Sequence, residues 1–189
     1  DKALYKKIIV AFIPTAIIGF MFYKIIKTYL FNPIVVAIAL IIGGIILIVL
    51  DKTIANRQKI HIELKNIPYR NAFLIGLIQS ISIIPGVSRA AATIIGGAFN
   101  GFNKKQAAEF SFLLAVPTMF AATGYDLFKI SNKLSANNLL LILLGGVISF
   151  IAAWIAVKVF LRFIEKYGFA FFGYYRIILG VLFLWYFSK

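Results

Sequence analysis

Ile84-Pro85-Gly86-Val87-Ser88-Arg89-Ala90-Ala91-Ala92-Thr93 decides how this chain is read. It sits inside an apolar segment, with residues 72–84 before it and 94–99 after it. Pro85 and Gly86 stop one helix, because proline lacks an N–H and glycine accepts backbone angles that other residues avoid. Ser88 stands where the N-cap of a following helix belongs. Arg89 and Thr93 are four apart and share a face of that helix. Free N–H groups, the positive end of the helix dipole, a guanidinium and two hydroxyls would meet there. That combination suits an anion, most naturally a phosphate. An arginine in so apolar a setting needs a partner or a task. The bland alternative is that Ser88 only caps, while Arg89 pairs with a carbonyl or a lipid headgroup.

The same break sets the topology. Residues 71–100 are too long for one ordinary span and too short for two. Two arms of about 12 residues, each about 18 Å long, suit a re-entrant hairpin that enters and leaves on one side. Non-helical backbone at membrane depth is tolerated only inside protein or beside a wet cavity, so such a hairpin implies a cavity.

Hydrophobic residues make up 62% of the 189 and charged ones 14%, with mean hydropathy +0.95. Soluble domains hold about 45–50% and about 25%. The expected fold is an all-α integral membrane protein, with about five transmembrane helices plus the re-entrant helix hairpin. Apolar runs at 8–31, 34–50, 107–128, 139–160 and 169–187 are long enough to span. The polar segment 51–70 reads as an extramembrane loop. Arg176 near the start of the last run reads as a headgroup anchor.

Net charge is +14. The cations lie mostly between apolar runs, where they act as topology signals and headgroup contacts; nucleic acid is not an expected partner. Lys2, Lys6, Lys7, the 51–70 loop, Lys104, Lys105, Arg162 and Lys166 fall on one side. That side is richer in cations than the other, so it is expected to be cytoplasmic and the C-terminus external. There is no cysteine, which excludes thiolate chemistry. Six scattered acids give neither a paired-carboxylate nor a metal-ligand spacing.

Ile13-Pro14-Thr15 matches Val116-Pro117-Thr118, and Gly43-Gly44 matches Gly145-Gly146. These pairings suggest an internal repeat within an inverted-repeat architecture built round broken helices. Residues 1–189 then form a single membrane domain. Residues 8–50 are two helices of a truncated first repeat, 51–70 a cytoplasmic loop, and 71–189 a complete second repeat with the hairpin at 71–100. In that repeat the hairpin precedes the second copy and calls for a partner before the first, so a missing N-terminal unit is expected; the start, Asp1-Lys2-Ala3-Leu4, shows no signal-peptide pattern.

Gln79, Pro85-Gly86-Val87-Ser88-Arg89, Ala92-Thr93, Gly96-Gly97 and the run from Ala107 to Pro117 (Ala-Ala-Glu-Phe-Ser-Phe-Leu-Leu-Ala-Val-Pro) carry a resemblance. Phe31-Asn32-Pro33-Ile34 and Tyr175-Arg176 add to it. The chain resembles the undecaprenyl-diphosphatase family of bacterial membranes, the bacitracin-resistance type, over nearly its whole length. The resemblance implies a multi-pass enzyme of the bacterial cytoplasmic (inner) membrane that hydrolyses a polyprenyl diphosphate lipid to the monophosphate. It carries the family's Ser, Arg and Thr onto Ser88, Arg89 and Thr93 as catalytic residues. Ser88 is read as a ligand rather than a nucleophile, because no base for it is visible. The family's first hairpin, with a Glu-containing motif and a Ser-Ser-x-Gly-His run, has no counterpart in this sequence; His61 lies in the polar loop and does not replace it.

Gln79, Pro85, Gly86 and Glu109 complete the set as substrate-binding residues. Two of them have a second reading. Gln79 either faces the cavity or satisfies the hairpin, and Glu109 either meets substrate or pairs with Lys104 and Lys105. A divalent cation, Mg or Ca, bridging the substrate phosphates is compatible with this set, and so is a homodimer. The alternative function is an inverted-repeat membrane transporter of an anionic or lipid-phosphate substrate.

Overall fold

The computed structural model describes residues 2–55, 63–130 and 136–188. Among these residues, seven α-helices follow in order: α1 Lys2–Tyr29, α2 Pro33–Ala55, α3 Tyr69–Gln79, α4 Arg89–Phe99, α5 Lys104–Ile130, α6 Ala136–Tyr167 and α7 Ala170–Phe187. Short 3-10 turns occupy Leu64–Asn66 and Ser80–Ile83. Helices α1, α2, α5, α6 and α7 are long and apolar enough to cross a membrane. No strand occurs among the described residues. The protein is an all-α integral membrane protein.

The spans run past the apolar stretches that announce them. Helix α2 continues through Asp51 and Lys52, and α6 carries Arg162, Glu165 and Lys166 inside its last turns. Long cationic side chains lay their stems along apolar surface and keep their heads wet, so a helix need not stop where charge begins. The 51–70 segment is therefore only partly a loop. Its ends belong to α2, to the 3-10 turn at Leu64–Asn66 and to α3, while residues 56–62, His61 among them, lie outside the described residues. Pro14 and Pro117 are both carried inside continuous helices.

Helices α3 and α4 are the two arms of a hairpin, eleven residues each. Thr93 pairs with Gln79 near the tip, and Gly96 packs on Ile75 further down, so the arms run antiparallel. The first arm ends earlier than Pro85 alone would dictate. Helix α3 stops at Gln79, and the chain tightens into the 3-10 turn, where the Ser80 hydroxyl donates back to the Gly76 carbonyl at 3.0 Å. Ile84 is then extended (φ −68°, ψ 123°), as a residue before proline prefers.

Both arms open at the same end of the bundle. There, Lys7 donates to the Lys65 carbonyl, and Lys104 on α5 pairs with Asp51 at the end of α2 at 2.6 Å. Asp51 also accepts the backbone N–H of Phe169 at 2.9 Å, tying in the corner before α7. Lys105 reaches Glu165 at 3.5 Å. The Lys65 ammonium, hydrogen-bonded to Glu63, holds that exposed carboxyl below the usual range. Asn103 and Gln106 start α5 with a reciprocal cap: the Asn103 side chain accepts from Gln106 N at 2.9 Å, and Asn103 N donates back to the Gln106 side chain at 3.1 Å. Phe102, Phe110, Ile75, Leu114, Ile164 and Phe169 fill the core next to this end.

Helices α2 and α7 approach closely. A methyl group on Gly44 would sit 2.6 Å from the carbonyl oxygen of Gly173, so backbone meets backbone there. This is the close packing that a Gly-Gly pair permits inside lipid. Its proposed copy behaves differently, since Gly145 and Gly146 on α6 face open space among the described residues. The Pro-Thr copies do share surroundings, because Thr15 and Thr118 meet the same side chain, Gln79.

Candidate functional site

Ser88 caps α4 as its position suggests: it is extended (φ −68°, ψ 124°), and its hydroxyl accepts from Ala91 N at 3.2 Å. Gly86 turns the chain with φ +89°, an angle that side chains disfavour, and sits against Val36 and Ala39 of α2. Val36 lies one turn from the start of α2. Asp51 is about 22 Å away along the same helix at 1.5 Å per residue. The break is therefore far from the end where the hairpin arms open.

The motif's polar groups do not converge on one point. Arg89 is half-buried, and its Nη1 donates to the Ser111 carbonyl on α5 at 3.0 Å. That contact uses one of the five guanidinium N–H donors. The Ser111 hydroxyl itself is buried with no partner among the described residues. Thr93 is fully buried and faces the other arm; its hydroxyl lies 3.0 Å from Gln79 Oε1 and 2.9 Å from the Arg89 carbonyl. Gln79 is fully buried too. Its Nε2 donates to Thr15 at 3.0 Å and toward Thr118 at 3.5 Å. In this arrangement Gln79 satisfies the hairpin, the second of its two readings.

Glu109 is half-buried and makes no ion pair among the described residues. The expected pairing with Lys104 and Lys105 is overturned, because those ammonium groups go to Asp51 and Glu165. Arg176 is the larger surprise. It is not a headgroup anchor but only 9% exposed, packed between α2 and α7. Its Nη2 donates to the carbonyl of Gly86 at 2.9 Å and to that of Ala39 at 3.3 Å. Its Nε is buried without a partner among the described residues. Sequence reasoning missed this because a cation near a run's start is usually interfacial; Gly43, four residues after Ala39, was the available signal.

Beside the break lies a groove of about 380 Å³, walled by Ile38, Ile42, Ile78 and Ile81. Almost all of its surface is apolar, and its polar groups come from Ser88 and Arg176. Of the residues singled out from the sequence as site candidates, Ser88 lines it, whereas Arg89 and Thr93 do not. No three His, Cys, Asp or Glu side chains come together among the described residues, so those residues do not form a cage for a divalent ion.

Among the described residues, five helices long and apolar enough to span, round a broken helical hairpin, define a polytopic membrane protein with a polar break inside an apolar fold. The family model of bacitracin resistance protein BacA matches residues 1–182, and the chain belongs to that family. It is 50% identical over 184 residues to a protein of Aquifex aeolicus named undecaprenyl-diphosphatase, covering 97% of this chain and 72% of that one. Proteins of the same name from Persephonella marina (50% identical; 96% and 71% covered) and Wolinella succinogenes (51%; 97% and 71%) are similar to the same extent.

Proposed function

We propose that this chain is a membrane phosphatase that hydrolyses undecaprenyl diphosphate to undecaprenyl phosphate and inorganic phosphate, recycling a cell-wall carrier lipid. Its place is the bacterial inner membrane, with α3 and α4 re-entrant from the cation-rich, cytoplasmic side. The observation that carries the reading is the N-terminus of α4, which starts at Arg89 and is capped by Ser88, a lining residue of the apolar groove. The groove suits a prenyl chain, and the helix start suits the diphosphate at its head.

In the reaction a water oxygen bonds to the terminal phosphorus, and the bridging P–O bond breaks. The bridging oxygen leaves on the lipid monophosphate, and the proton released by the attacking water passes to solvent or to a phosphate oxygen. Negative charge builds on the phosphoryl oxygens and the leaving oxygen. The catalytic residues are Arg89 and Ser88, and Thr93 is a positioning residue. Arg89 swings from the Ser111 carbonyl to clamp that charge in a bidentate contact. Ser88 and the first N–H groups of α4 hold the phosphate as ligands. Thr93 acts through Gln79, fixing the second arm. Pro85 and Gly86 shape the turn under the phosphate. A divalent ion at this site would be held mainly by the phosphates themselves; no part of the chemistry is assigned to it.

Phosphate release from undecaprenyl diphosphate in detergent, measured beside binding of the same lipid, tests the reading. Release with turnover is expected. Binding without release would replace the enzyme with a carrier of lipid phosphates.

A further inference from the structure

Arg176 has no role in the phosphate chemistry above, yet it is a cation more than nine-tenths buried in lipid-facing helices. Such a group is expensive and needs a partner or a task. Its partners are backbone carbonyls: Gly86 in the break at 2.9 Å and Ala39 on α2 at 3.3 Å. The Gly86 carbonyl belongs to non-helical backbone inside the fold, where an unsatisfied oxygen is costly. Ser88, the cap of α4, is two residues further along the chain.

The room for this contact comes from α2. A methyl group at Gly43 would lie 2.5 Å from Arg176 Nη2 and 3.2 Å from its Cζ. Gly43 is thus a notch that admits the guanidinium fork. A lysine at 176, lacking Cζ and both Nη atoms, would not fill it.

We infer that Arg176 is a positioning residue for the hairpin break: seated in the Gly43 notch, it holds the Gly86 carbonyl and thereby fixes where Ser88 and the start of α4 present themselves. The inference rests on the phosphatase reading for its consequence in catalysis, but the contact itself is testable without it. Arg176 does not touch the reacting atoms. It sets the turn from which the groups that do touch them project.

The experiment is a double-mutant cycle in the full-length protein, with kcat and KM measured for Gly43→Ala, Arg176→Lys and the pair, normalised to folded protein. Gly43→Ala keeps the charge and displaces the fork. It is expected to lower kcat at least about tenfold with KM within about threefold, the pattern of an interaction lost in the transition state. In the Arg176→Lys background the added methyl has room, and its cost is expected to shrink to under about twofold. Equal cost in both backgrounds, or a kcat that follows only the folded fraction, would overturn the inference.

A nitroxide at Val87→Cys in this cysteine-free chain gives the second readout. Its spectrum should sharpen, reporting a looser turn, when Gly43→Ala is added to wild-type Arg176. It should change little when Gly43→Ala is added to Arg176→Lys. If the parent releases no phosphate, the phosphatase reading fails, and the spin label decides on the contact. An unchanged spectrum in the Gly43→Ala protein overturns it.

Discussion

Gln79 Oε1 on α3 accepts the hydroxyl proton of Thr93 on α4 at 3.0 Å, and this bond joins the two arms of the hairpin at full burial. The Gln79 Nε2 points the other way, to Thr15 on α1 and Thr118 on α5. One amide therefore ties four helices together.

Gln79→Leu should be tolerated better than Gln79→Glu. Each threonine keeps a backbone acceptor in the leucine variant: Gly76 for Thr15, Arg89 for Thr93 and Leu114 for Thr118. The expected loss is about 1–3 kcal/mol. Gln79→Glu sets a carboxylate in the same dry place and should cost more than about 3 kcal/mol. Unfolding in detergent measures both. The reverse order would remove Gln79 from the centre of the hairpin.

Ser88 separates capping from chemistry. Ser88→Asp preserves an N-cap acceptor, so stability should stay within about 1 kcal/mol of the parent. The new negative charge stands where a phosphate would sit, and kcat/KM should fall at least about a hundredfold. Ser88→Ala should do the opposite, losing about 0.5–2 kcal/mol of stability with a smaller effect on turnover. A fully active Ser88→Asp protein would place the phosphate elsewhere.

Asp51 carries two bonds, to Lys104 and to Phe169 N. Asp51→Asn retains an acceptor for the N–H and loses the ion pair. Asp51→Ala loses both and leaves the Phe169 N–H without that partner. We expect a loss of about 1–3 kcal/mol for the alanine and roughly half of that for the asparagine, read from denaturation midpoints. Equal effects would mean that the ion pair alone matters at this corner.

The re-entrant path is open to a labelling test, because the chain has no cysteine. Asn66→Cys and Lys105→Cys flank the hairpin at exposed positions, and Asn32→Cys lies at the exposed turn between α1 and α2. A membrane-impermeant maleimide should reach the first two from one side and Asn32→Cys from the other. Labelling of Asn66→Cys and Lys105→Cys from opposite sides would make 69–99 a crossing segment.

Much of this was legible beforehand, for physical reasons. Apolar run length fixed the five spans, and the Pro85-Gly86 break with Ser88 behind it fixed the hairpin and its cap. Burial partners were not legible. A side chain's exposure depends on which helices meet, so Arg176 read as an interfacial cation and proved to be wedged behind Gly43. Glu109 read as an ion-pair partner by its spacing, but Lys104 and Lys105 found acids on α2 and α6. Thr93 shares its helix face with Arg89 in sequence, yet its hydroxyl is turned to the opposite arm. Helical spacing says which residues share a face; it does not say what that face meets.

The central claim is that charge built up on a lipid diphosphate is stabilised at the Ser88–Arg89 break. Phosphate release from undecaprenyl diphosphate by Arg89→Ala, compared with the parent at matched folded concentration, tests it most directly. The account predicts a fall in kcat of at least about a hundredfold, the scale for removing a transition-state charge donor. A variant that keeps turnover within about threefold of the parent would contradict it.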